Sequence, residues 1–540
     1  MISGAAAMAK CLEAEGVELV FGYPGATICP FYDVLYSSNI RHVLVRSEQN
    51  AAHAASGYSR VNRNKTGVCV STSGPGATNL ITGIANAYMD STPIIAITGQ
   101  VSLNDLGKDV FQEADITGAC ESFVKHSFLI KDAADIPRAF KEAFFIARSG
   151  RPGPVLIDVP VDVQTQETDD FIYPESADIL GYKPNTKGHP LQVKKALSLI
   201  AESQRPLLCC GGGVISSGAA DEFLRFAEQS GIPVVSTMMG IGGMPMNHPS
   251  YLGMMGSFGK SGANRALSEC DLLILCGARV ADRAICRPSD IHAKIIHIDI
   301  DPAEIGKNIK ADVPIVGDVK NVLLQLLEGL GAKAPEAWLK LVQGYHAEVP
   351  LQGQAKYIDP ASFIKALSGM CQPGAILSAD PGQSQIWAAL NWENSLFLTS
   401  GGLGTMGYSL PAAIGAKLGE PKRQVIALCG DGAFQMSMCE LATVSQNNIP
   451  IKLIVMDNGR LGMVREIQNI KYGGRHFGTH LGGNPDFAGI ARAYGMHAQT
   501  AASNGEAEKL AEEMLQSKSP YMLVLKIDPE TPTIPGRLDD

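Results

Sequence analysis

The stretch 429–462 constrains the fold of this chain more than any other. An apolar run over 425–428 is short enough for a buried strand and enters a Gly-Asp-Gly turn at 430–432. Apolar residues at helical spacing follow, an Asn-Ile-Pro sequence ends them, and a second apolar run over 452–456 leads to Asn458. This order predicts a strand, a helix and a second strand parallel to the first, with polar side chains at both strand ends.

The polar residues at these two strand ends suggest a metal and phosphate site. Asp431 and Asn458 offer hard oxygen atoms of the kind that Mg²⁺ binds. The backbone amides of the turn and the start of the helix suit an anion such as a phosphate. The residues alone leave a second interpretation open, in which the glycines serve only a tight turn.

The length of 540 residues is too great for one hydrophobic core. Three parts of the chain repeat one pattern of strand, Gly-rich turn, helix and Pro-led strand. The pattern predicts an α/β protein with three doubly wound domains, each built on a mostly parallel sheet. The predicted domains are 1–168, 189–332 and 359–540.

Composition excludes several classes of function. The net charge of −9 provides no basic surface for nucleic acid. No apolar run is long enough to span a bilayer, and the first residues do not resemble a secretory signal. The 12 cysteines are scattered without a CxxC pair, which favours reduced core residues in a cytoplasmic protein.

Glu48 stands directly after a predicted strand, at the start of a predicted helix. A carboxylate at this position is stabilised by the helix dipole whatever its function. Glu48 is therefore either a helix-start residue or a functional acid, and its own sequence context does not decide between them.

Longer segments decide more, because they closely resemble the large subunits of acetolactate (acetohydroxyacid) synthases, a family of thiamin-diphosphate (ThDP) enzymes. The resemblance covers nearly the whole chain. Its segments are FGYPGA (21–26), STSGPGATNL (71–80), AYMDSTPIIAITGQV (87–101), FQEADITG (111–118), VKHSFLI (124–130), RPGPVLIDVPVDVQ (151–164), HIDIDPAEIGKN (297–308), TSGGLGTMGYSLPAAIGA (399–416), GMVREIQ (462–468) and GGNPDFAGIARAYG (482–495).

The resemblance implies that ThDP lies across a subunit interface, in a homodimer or homotetramer. Glu48 would bind the aminopyrimidine ring from one chain. The Mg²⁺ ligands would be Asp431, Asn458 and the backbone carbonyl of Arg460. The residues that match the remaining ThDP site are Gly382, Gln383, Ser384, Met406, Gly432, Ala433 and Met463. From the residues alone, Met406 would be assigned to core packing.

The resemblance also implies a structural FAD in the middle domain, with no redox role in the reaction. The matching residues are Arg151, Gly211, Gly212, Gly213, Gly256, Arg279, Asp299 and Asp318. Two motifs depart from the family pattern: GMHG reads GSFG at 256–259, and GxRFDDR reads GARVADR at 277–283.

The implied reaction decarboxylates pyruvate and joins the hydroxyethyl unit to a second 2-oxo acid. The products are 2-acetolactate from pyruvate and 2-aceto-2-hydroxybutyrate from 2-oxobutyrate, both precursors of branched-chain amino acids. Arg283 would bind the acceptor carboxylate through its guanidinium fork. Gly25 and Phe111 match pocket residues, and Gln112 and Lys125 match catalytic ones. Lys125 alone would be interpreted as a solvated surface charge.

Three departures bear on the substrate. Ile467 stands where the family motif MVRQWQ carries Trp, Ser384 replaces a His, and the C-terminal residues lack the usual closing segment. A smaller Ile467 leaves the acceptor preference open. The alternatives are a 2-oxo acid decarboxylase, a pyruvate oxidase, a divergent carboligase or a non-catalytic paralogue, and a regulatory small subunit is a further expected partner.

Overall fold

The computed structural model of the chain describes residues 1–169, 171–285, 289, 291–331, 333–345 and 357–534. Three six-stranded sheets follow one another along the chain, and every strand pair within them is parallel. Helices separate consecutive strands and cover the sheets. The predicted fold class, α/β with three doubly wound domains, is confirmed.

The N-terminal domain begins with a short strand that pairs antiparallel with the last strand of the domain. Its strands are β1 (Ile2–Ser3), β2 (Leu19–Tyr23), β3 (Arg41–Leu44), β4 (Gly67–Ser71), β5 (Ile94–Gln100), β6 (His126–Leu129), β7 (Val155–Pro160) and β8 (Glu167–Thr168). Its helices are α1 (Gly4–Ala14), α2 (Cys29–Ser37), α3 (Glu48–Val61), α4 (Pro75–Met89), α5 (Ile116–Cys120), α6 (Ile136–Arg148) and α7 (Val161–Thr165).

The middle domain has the strands β9 (Pro206–Cys210), β10 (Val234–Ser236), β11 (Tyr251–Met254), β12 (Leu272–Cys276), β13 (Lys294–Asp299) and β14 (Val313–Val316). Its helices are α8 (Pro190–Glu202), α9 (Gly212–Ser216), α10 (Ala220–Ser230), α11 (Ser261–Glu269), α12 (Val319–Gly329) and α13 (Glu336–Gln343).

The C-terminal domain has the strands β15 (Ile376–Ala379), β16 (Phe397–Thr399), β17 (Val425–Gly430), β18 (Lys452–Asp457), β19 (His497–Ala501) and β20 (Tyr521–Lys526). Its helices are α14 (Pro360–Met370), α15 (Gln383–Asn391), α16 (Ser409–Gly419), α17 (Asp431–Ser437), α18 (Leu441–Gln446), α19 (Gly462–Tyr472), α20 (Phe487–Ala493) and α21 (Asn504–Gln516).

Strand order divides the three domains into two kinds. The N-terminal sheet runs β3-β2-β4-β5-β7-β6 and the C-terminal sheet runs β16-β15-β17-β18-β20-β19, which is the same order when the strands are counted within each domain. The middle sheet runs β11-β10-β9-β12-β13-β14. That is the 3-2-1-4-5-6 order of dinucleotide-binding domains, so the resemblance between the three sequence units hides two different topologies.

The N-terminal and C-terminal domains share one hydrophobic core, in which α3 crosses α16 at close range. A Cβ atom at Gly57 would lie 2.0 Å from the carbonyl oxygen of Ala412, and one at Gly415 would lie 1.8 Å from that of Ala54. Only glycine permits this separation of the two helix backbones. The crossing therefore fixes the position of one domain on the other.

The segment 425–462 has the two predicted strands, β17 and β18, but the helix between them is interrupted. The predicted single helix between β17 and β18 is α17, a 3₁₀ turn at Met438–Glu440, and α18. At the turn the buried carboxylate of Glu440 accepts the backbone N–H of Arg46 at 2.9 Å and the amide of Asn50 at 2.9 Å. The spacing of apolar residues along a helix cannot predict this contact with the N-terminal domain.

None of the described helices is long and apolar enough to cross a membrane. The predicted domain boundary at 332 lies outside the described residues, as does part of the predicted boundary loop, 346–356.

Candidate functional site

A cavity of about 1280 Å³ runs along the carboxyl ends of the strands of the middle and C-terminal domains, and residues of the N-terminal domain also line it. In open α/β sheets ligands bind at this edge. Most of the predicted cofactor residues of these two domains line it: Gly212, Gly213, Arg279, Asp299, Asp318, Gly382, Gln383, Ser384, Met406, Asp431, Gly432, Ala433, Asn458, Arg460 and Met463. Arg151, Arg283 and Ile467 line it as well.

Three helices begin at the C-terminal end of this cavity. They are α15, α17 and α19, which follow the neighbouring strands β15, β17 and β18. Their unpaired N–H groups and dipoles favour an anion. Gly382 caps α15 with φ +124°, a backbone conformation that other residues rarely adopt. This end of the cavity is built for a phosphate.

Asp431 is the first residue of α17, and its side chain is held by three donors. Its carboxylate accepts N–H groups from Gly432 at 3.0 Å and Gly459 at 2.8 Å, and the amide of Asn484 at 2.7 Å. Burial raises its pKa to about 6, because the carboxylate has little contact with water. A cation beside it would favour the ionised form.

Asn458 follows β18 and lies next to Asp431, since its neighbour Gly459 bonds that carboxylate. Its Oδ1 accepts the N–H of Arg460 at 3.0 Å, and its Nδ2 donates to Gln383 Oε1 at 3.0 Å. Among the described residues no cluster of three His, Cys, Asp or Glu side chains can hold a metal. A cation here would need amide and carbonyl oxygens beside Asp431, which is the donor set that Mg²⁺ prefers.

Methionine and serine side chains complete this end of the cavity. Met406 lines the cavity, and its Cε lies 3.5 Å from where a Cβ of Gly432 would stand. Met406 also packs against the core shared by the N-terminal and C-terminal domains. Its position therefore fits both the core-packing interpretation and the cofactor-site interpretation. Ser384 is buried and donates to the carbonyl of Asp380 at 3.2 Å.

The middle-domain end of the cavity depends on glycines. A Cβ at Gly211 would lie 2.1 Å from the carbonyl oxygen of Gly277, and one at Gly213 would lie 2.6 Å from its Cα. The turn after β9 therefore contacts the turn after β12 backbone to backbone. Gly211 itself does not line the cavity, but it closes the turn that does. The contact lies at the centre of the sheet, where the strand order reverses.

Charged side chains surround the same end. Arg279 donates to the carbonyl of Met89 at 2.7 Å, and burial lowers the pKa of its guanidinium. Burial raises the pKa of Asp299 to about 6. Arg151 pairs with Glu304 at 2.9 Å. Asp318 caps α12 by accepting two backbone N–H groups, so that part of its bonding capacity is already used.

Gly256 and Arg283 meet at one backbone contact. Gly256 has φ +106°, and a Cβ there would lie 2.1 Å from the carbonyl oxygen of Arg283. The Arg283 guanidinium lies 6.0 Å from the centre of the Phe258 ring and lines the cavity, whereas Gly256 does not. Gly256 thus shapes the segment that presents Arg283.

The predicted site residues of the N-terminal domain lie elsewhere, around the turn after β4. A Cβ at Gly25 would lie 2.5 Å from Thr72, one at Gly74 would lie 2.9 Å from Gln112, and one at Gly76 would lie 3.4 Å from Glu48 Oε1. Glu48 begins α3 as predicted, and its Oε2 accepts the amide of Asn79 at 3.0 Å. Phe111 is 88 % exposed. The structure brings these residues together, but outside the cavity.

Helix α3 runs from Glu48 to the edge of the cavity. Glu48 starts the helix, and Arg60, near its other end, lines the cavity. Twelve residues of α-helix span about 18 Å. Arg60 is fixed at its end by the carbonyl of Thr399 at 2.7 Å and the hydroxyl of Tyr408 at 3.0 Å. Glu48 itself does not line the cavity, whereas Asp431 and Asn458 do.

Lys125 is not brought to Gln112 within one chain. It directly precedes β6, at the amino edge of the sheet, while Gln112 follows β5 at the carboxyl edge. Its ammonium group donates to the carbonyls of Ile146 and Ser149 and to the hydroxyl of Tyr182. Burial lowers its pKa to about 8. The interpretation as a solvated surface charge does not fit this setting either.

Three polar residues of the site were missed in the sequence. Asn484 bonds both Asp431 and Asp457, and Glu466 bonds Gln383. Asp380 is buried and accepts the N–H groups of Tyr408 and Ser409 together with the Ser409 hydroxyl. Asn484 and Glu466 both stand in segments that resemble the family, which is the signal that could have identified them.

Comparisons with known proteins agree over the whole chain. Models of thiamine pyrophosphate enzymes match in three parts: the N-terminal TPP binding domain at 2–119, the central domain at 193–326 and the C-terminal TPP binding domain at 380–525.

Several relatives that match most of the chain are acetolactate synthase large subunits. A probable acetolactate synthase large subunit of Methanocaldococcus jannaschii is 50 % identical, over 99 % of this chain and 94 % of the relative. The acetolactate synthase large subunit of Corynebacterium glutamicum is 46 % identical, over 92 % of this chain and 82 % of the relative. That of Haemophilus influenzae is 40 % identical, over 97 % and 94 %.

Proposed function

The chain belongs to the family of acetolactate synthase large subunits, and we propose on that basis how its own residues carry out the reaction. It is a ThDP-dependent carboligase that decarboxylates pyruvate and joins the hydroxyethyl unit to a second 2-oxo acid. When bound, ThDP would supply the nucleophilic carbon that the reaction needs. The protein supplies binding, orientation, proton transfer and the exclusion of water.

We propose that each active site uses two chains. The helix starts at α15 and α17 would hold the diphosphate of ThDP, with Met406 beneath its ring system. Glu48 of a second chain would hold the aminopyrimidine ring and exchange a proton with it. The cavity supports this division, because the proposed diphosphate residues line it and Glu48 does not.

Exposed apolar side chains near both half-sites also support a dimer. Phe111, which precedes Gln112, is 88 % exposed, and on α17 and α19 Met436 is 59 % and Ile467 45 % exposed. Covering such side chains removes apolar area from water, which stabilises association. We propose a homodimer as the smallest active unit. Larger assemblies and a regulatory small subunit, the partner that the large-subunit names imply, are further proposals.

Mg²⁺ is proposed to bind between Asp431, Asn458 and the carbonyl of Arg460. The adjacency of the first two and their hard oxygen atoms support it. The ion would offset the negative charge of the diphosphate and keep Asp431 ionised.

FAD is proposed as a structural group in the middle-domain end of the cavity. The 3-2-1-4-5-6 strand order, the glycine turn after β9 and the charged residues at the strand ends support a dinucleotide there. Gly211→Ala tests this proposal, because its Cβ would collide with Gly277. We expect loss of the flavin absorbance from the purified protein, whereas Gly331→Ala, a change at an exposed glycine with open space and no positive φ, retains the flavin. Equal flavin content in the wild type and the Gly211 variant would contradict the assignment.

The acceptor 2-oxo acid is proposed to bind between Arg283 and Ile467, both of which line the cavity. The guanidinium offers a bidentate partner for its carboxylate. Location in the cytoplasm is also proposed, since the cysteines of the described residues are free thiols and mostly buried.

Product analysis tests the function. Purified protein is supplied with pyruvate, ThDP and Mg²⁺, with and without 2-oxobutyrate and FAD. We expect 2-acetolactate from pyruvate alone and 2-aceto-2-hydroxybutyrate when 2-oxobutyrate is added. Acetaldehyde as the main product would indicate a decarboxylase, and acetyl phosphate with peroxide would indicate an oxidase. Either result would overturn the assignment.

A further inference from the structure

Glu466, on α19, bonds two parts of the molecule at once. Its Oε1 accepts the amide Nε2 of Gln383 at 2.8 Å and the backbone N–H of Thr533 at 2.5 Å. Its Oε2 accepts the hydroxyl of Thr533 at 2.6 Å. Gln383 and Thr533 are 7 % and 3 % exposed, so these bonds are shielded from water. Shielded bonds to a carboxylate are among the stronger ones in proteins.

The segment 528–534 follows the last strand and lies across α15 and α19. The carbonyl of Thr531 accepts Nε2 of Gln383 at 2.9 Å, and the carbonyl of Pro532 accepts the indole N–H of Trp387 at 3.1 Å. Arg465 pairs with Glu530 at 2.5 Å. The segment is therefore attached to both helices whose first residues border the diphosphate end of the cavity.

These contacts fix the direction of the Gln383 amide. Its Nε2 faces two acceptors, the Glu466 carboxylate and the Thr531 carbonyl. A flipped amide would place its oxygen against both acceptors, which is unfavourable. Its Oε1 must therefore face Asn458. Gly462 leaves room for that oxygen, because a Cβ there would lie 1.8 Å from it.

The direction of Gln383 in turn fixes that of Asn458. Because Gln383 presents an oxygen, Asn458 must present its Nδ2, and the two atoms lie 3.0 Å apart. Its Oδ1 then points away and accepts the N–H of Arg460 at 3.0 Å. A flipped Asn458 would offer a metal ion an NH₂ group instead of an oxygen.

We propose that Glu466 is a positioning residue for the metal site: through Gln383 it sets the direction of the Asn458 amide, and the segment 528–534 holds it in place. The inference rests on the proposed function, since it concerns the Mg²⁺ of the ThDP site. Groups that orient metal ligands typically change metal affinity 10- to 100-fold when they are removed.

The test measures Mg²⁺ binding rather than turnover. Apoprotein is titrated with Mg²⁺ at a fixed ThDP concentration, and ThDP binding is followed by calorimetry. For Glu466→Ala we expect the half-saturating Mg²⁺ concentration to rise by roughly 10- to 100-fold. Glu466→Gln keeps a carbonyl oxygen for Gln383 and for the Thr533 N–H, so it should restore most of the affinity.

Glu530→Ala is the matched control. It removes the ion pair with Arg465, which joins the same helix to the same segment, but it leaves the Glu466 bonds intact. We expect no change in Mg²⁺ affinity. An equal loss in the Glu530 and Glu466 variants would overturn the proposal, because attachment of the segment rather than amide direction would then be responsible.

Thr533→Val guards against a Glu466 variant that fails to fold. It removes one bond to Oε2 and leaves Gln383 untouched, so Mg²⁺ affinity should fall about three- to tenfold. Unchanged affinity in the folded Glu466→Ala variant, or in Thr533→Val if the former does not fold, would overturn the inference. A wild-type protein that binds no ThDP with Mg²⁺ would instead overturn the proposed function.

Discussion

Two buried carboxyl groups, Asp158 and Asp380, accept hydrogen bonds from neutral donors. Asp158 accepts the hydroxyl of Thr98 at 2.6 Å and the amide of Gln100 at 3.0 Å. Burial raises the pKa of Asp158 to about 7 and that of Asp380 to about 6. Gln100 also donates to the carbonyl of Ala114, in the loop that carries Gln112. At the residue scale, Gln100 thus connects the Asp158 carboxyl to the loop that carries Gln112.

Asp158→Asn tests the raised pKa of the Asp158 carboxyl through the pH dependence of stability. Because the folded pKa lies above the unfolded one, the contribution of Asp158 is complete below about pH 4 and is lost as pH rises to 7. We expect the free energy of unfolding of the wild type to fall between pH 5 and 8 by more than that of the variant, by on the order of 2 kcal/mol. Denaturant unfolding at each pH measures it. Parallel pH profiles for the two proteins would contradict the assignment.

Ile467 is the residue for which the acceptor preference can be tested. It lines the cavity and is 45 % exposed, which leaves space for a larger side chain. Ile467→Trp should raise the ratio of 2-aceto-2-hydroxybutyrate to 2-acetolactate about tenfold in competition between 2-oxobutyrate and pyruvate, since one apolar contact discriminates by 10–200-fold at most. Ile467→Leu is the control of similar volume. An unchanged ratio in the Trp variant would place the acceptor pocket elsewhere.

At the scale of elements, the crossing of α3 and α16 joins the two domains that share one strand order. Gly415→Ala should destabilise the protein by about 1–3 kcal/mol, because the new Cβ would collide with the carbonyl of Ala54. Gly369→Ala, in α14, meets open space and should stabilise by about 0.5–1 kcal/mol. Thermal unfolding compares the two variants. Equal stability would show that the helices can separate without cost.

Much at this scale could be predicted from the sequence. Asp431 and Asn458 were placed at adjoining strand ends because the carboxyl ends of parallel strands meet at one edge of a sheet. The two strand orders could not be predicted, since they depend on pairings between residues distant in sequence. The same holds for the bonds of Glu466 to Thr533, which lies 67 positions further along the chain.

At the scale of the whole molecule, all three domains contribute residues to one cavity, while Glu48 lies outside it. We propose that each chain carries both halves of a ThDP site and that the Glu48 half completes the cavity of a second chain. A pair of chains related by a two-fold axis would bring each Glu48 to the partner's diphosphate residues. In the proposed dimer, activity requires residues from both chains.

Complementation of two inactive variants tests whether each active site uses two chains. Glu48→Gln and Asp431→Asn should each lose acetolactate formation by at least about a hundredfold. Mixed dimers of the two contain one site with both native residues and one with neither. After unfolding and refolding together, equal amounts should recover about a quarter of wild-type activity, since half the dimers are mixed and each has one intact site. A mixture that stays inactive, although differently tagged chains are shown to pair, would contradict the two-chain site.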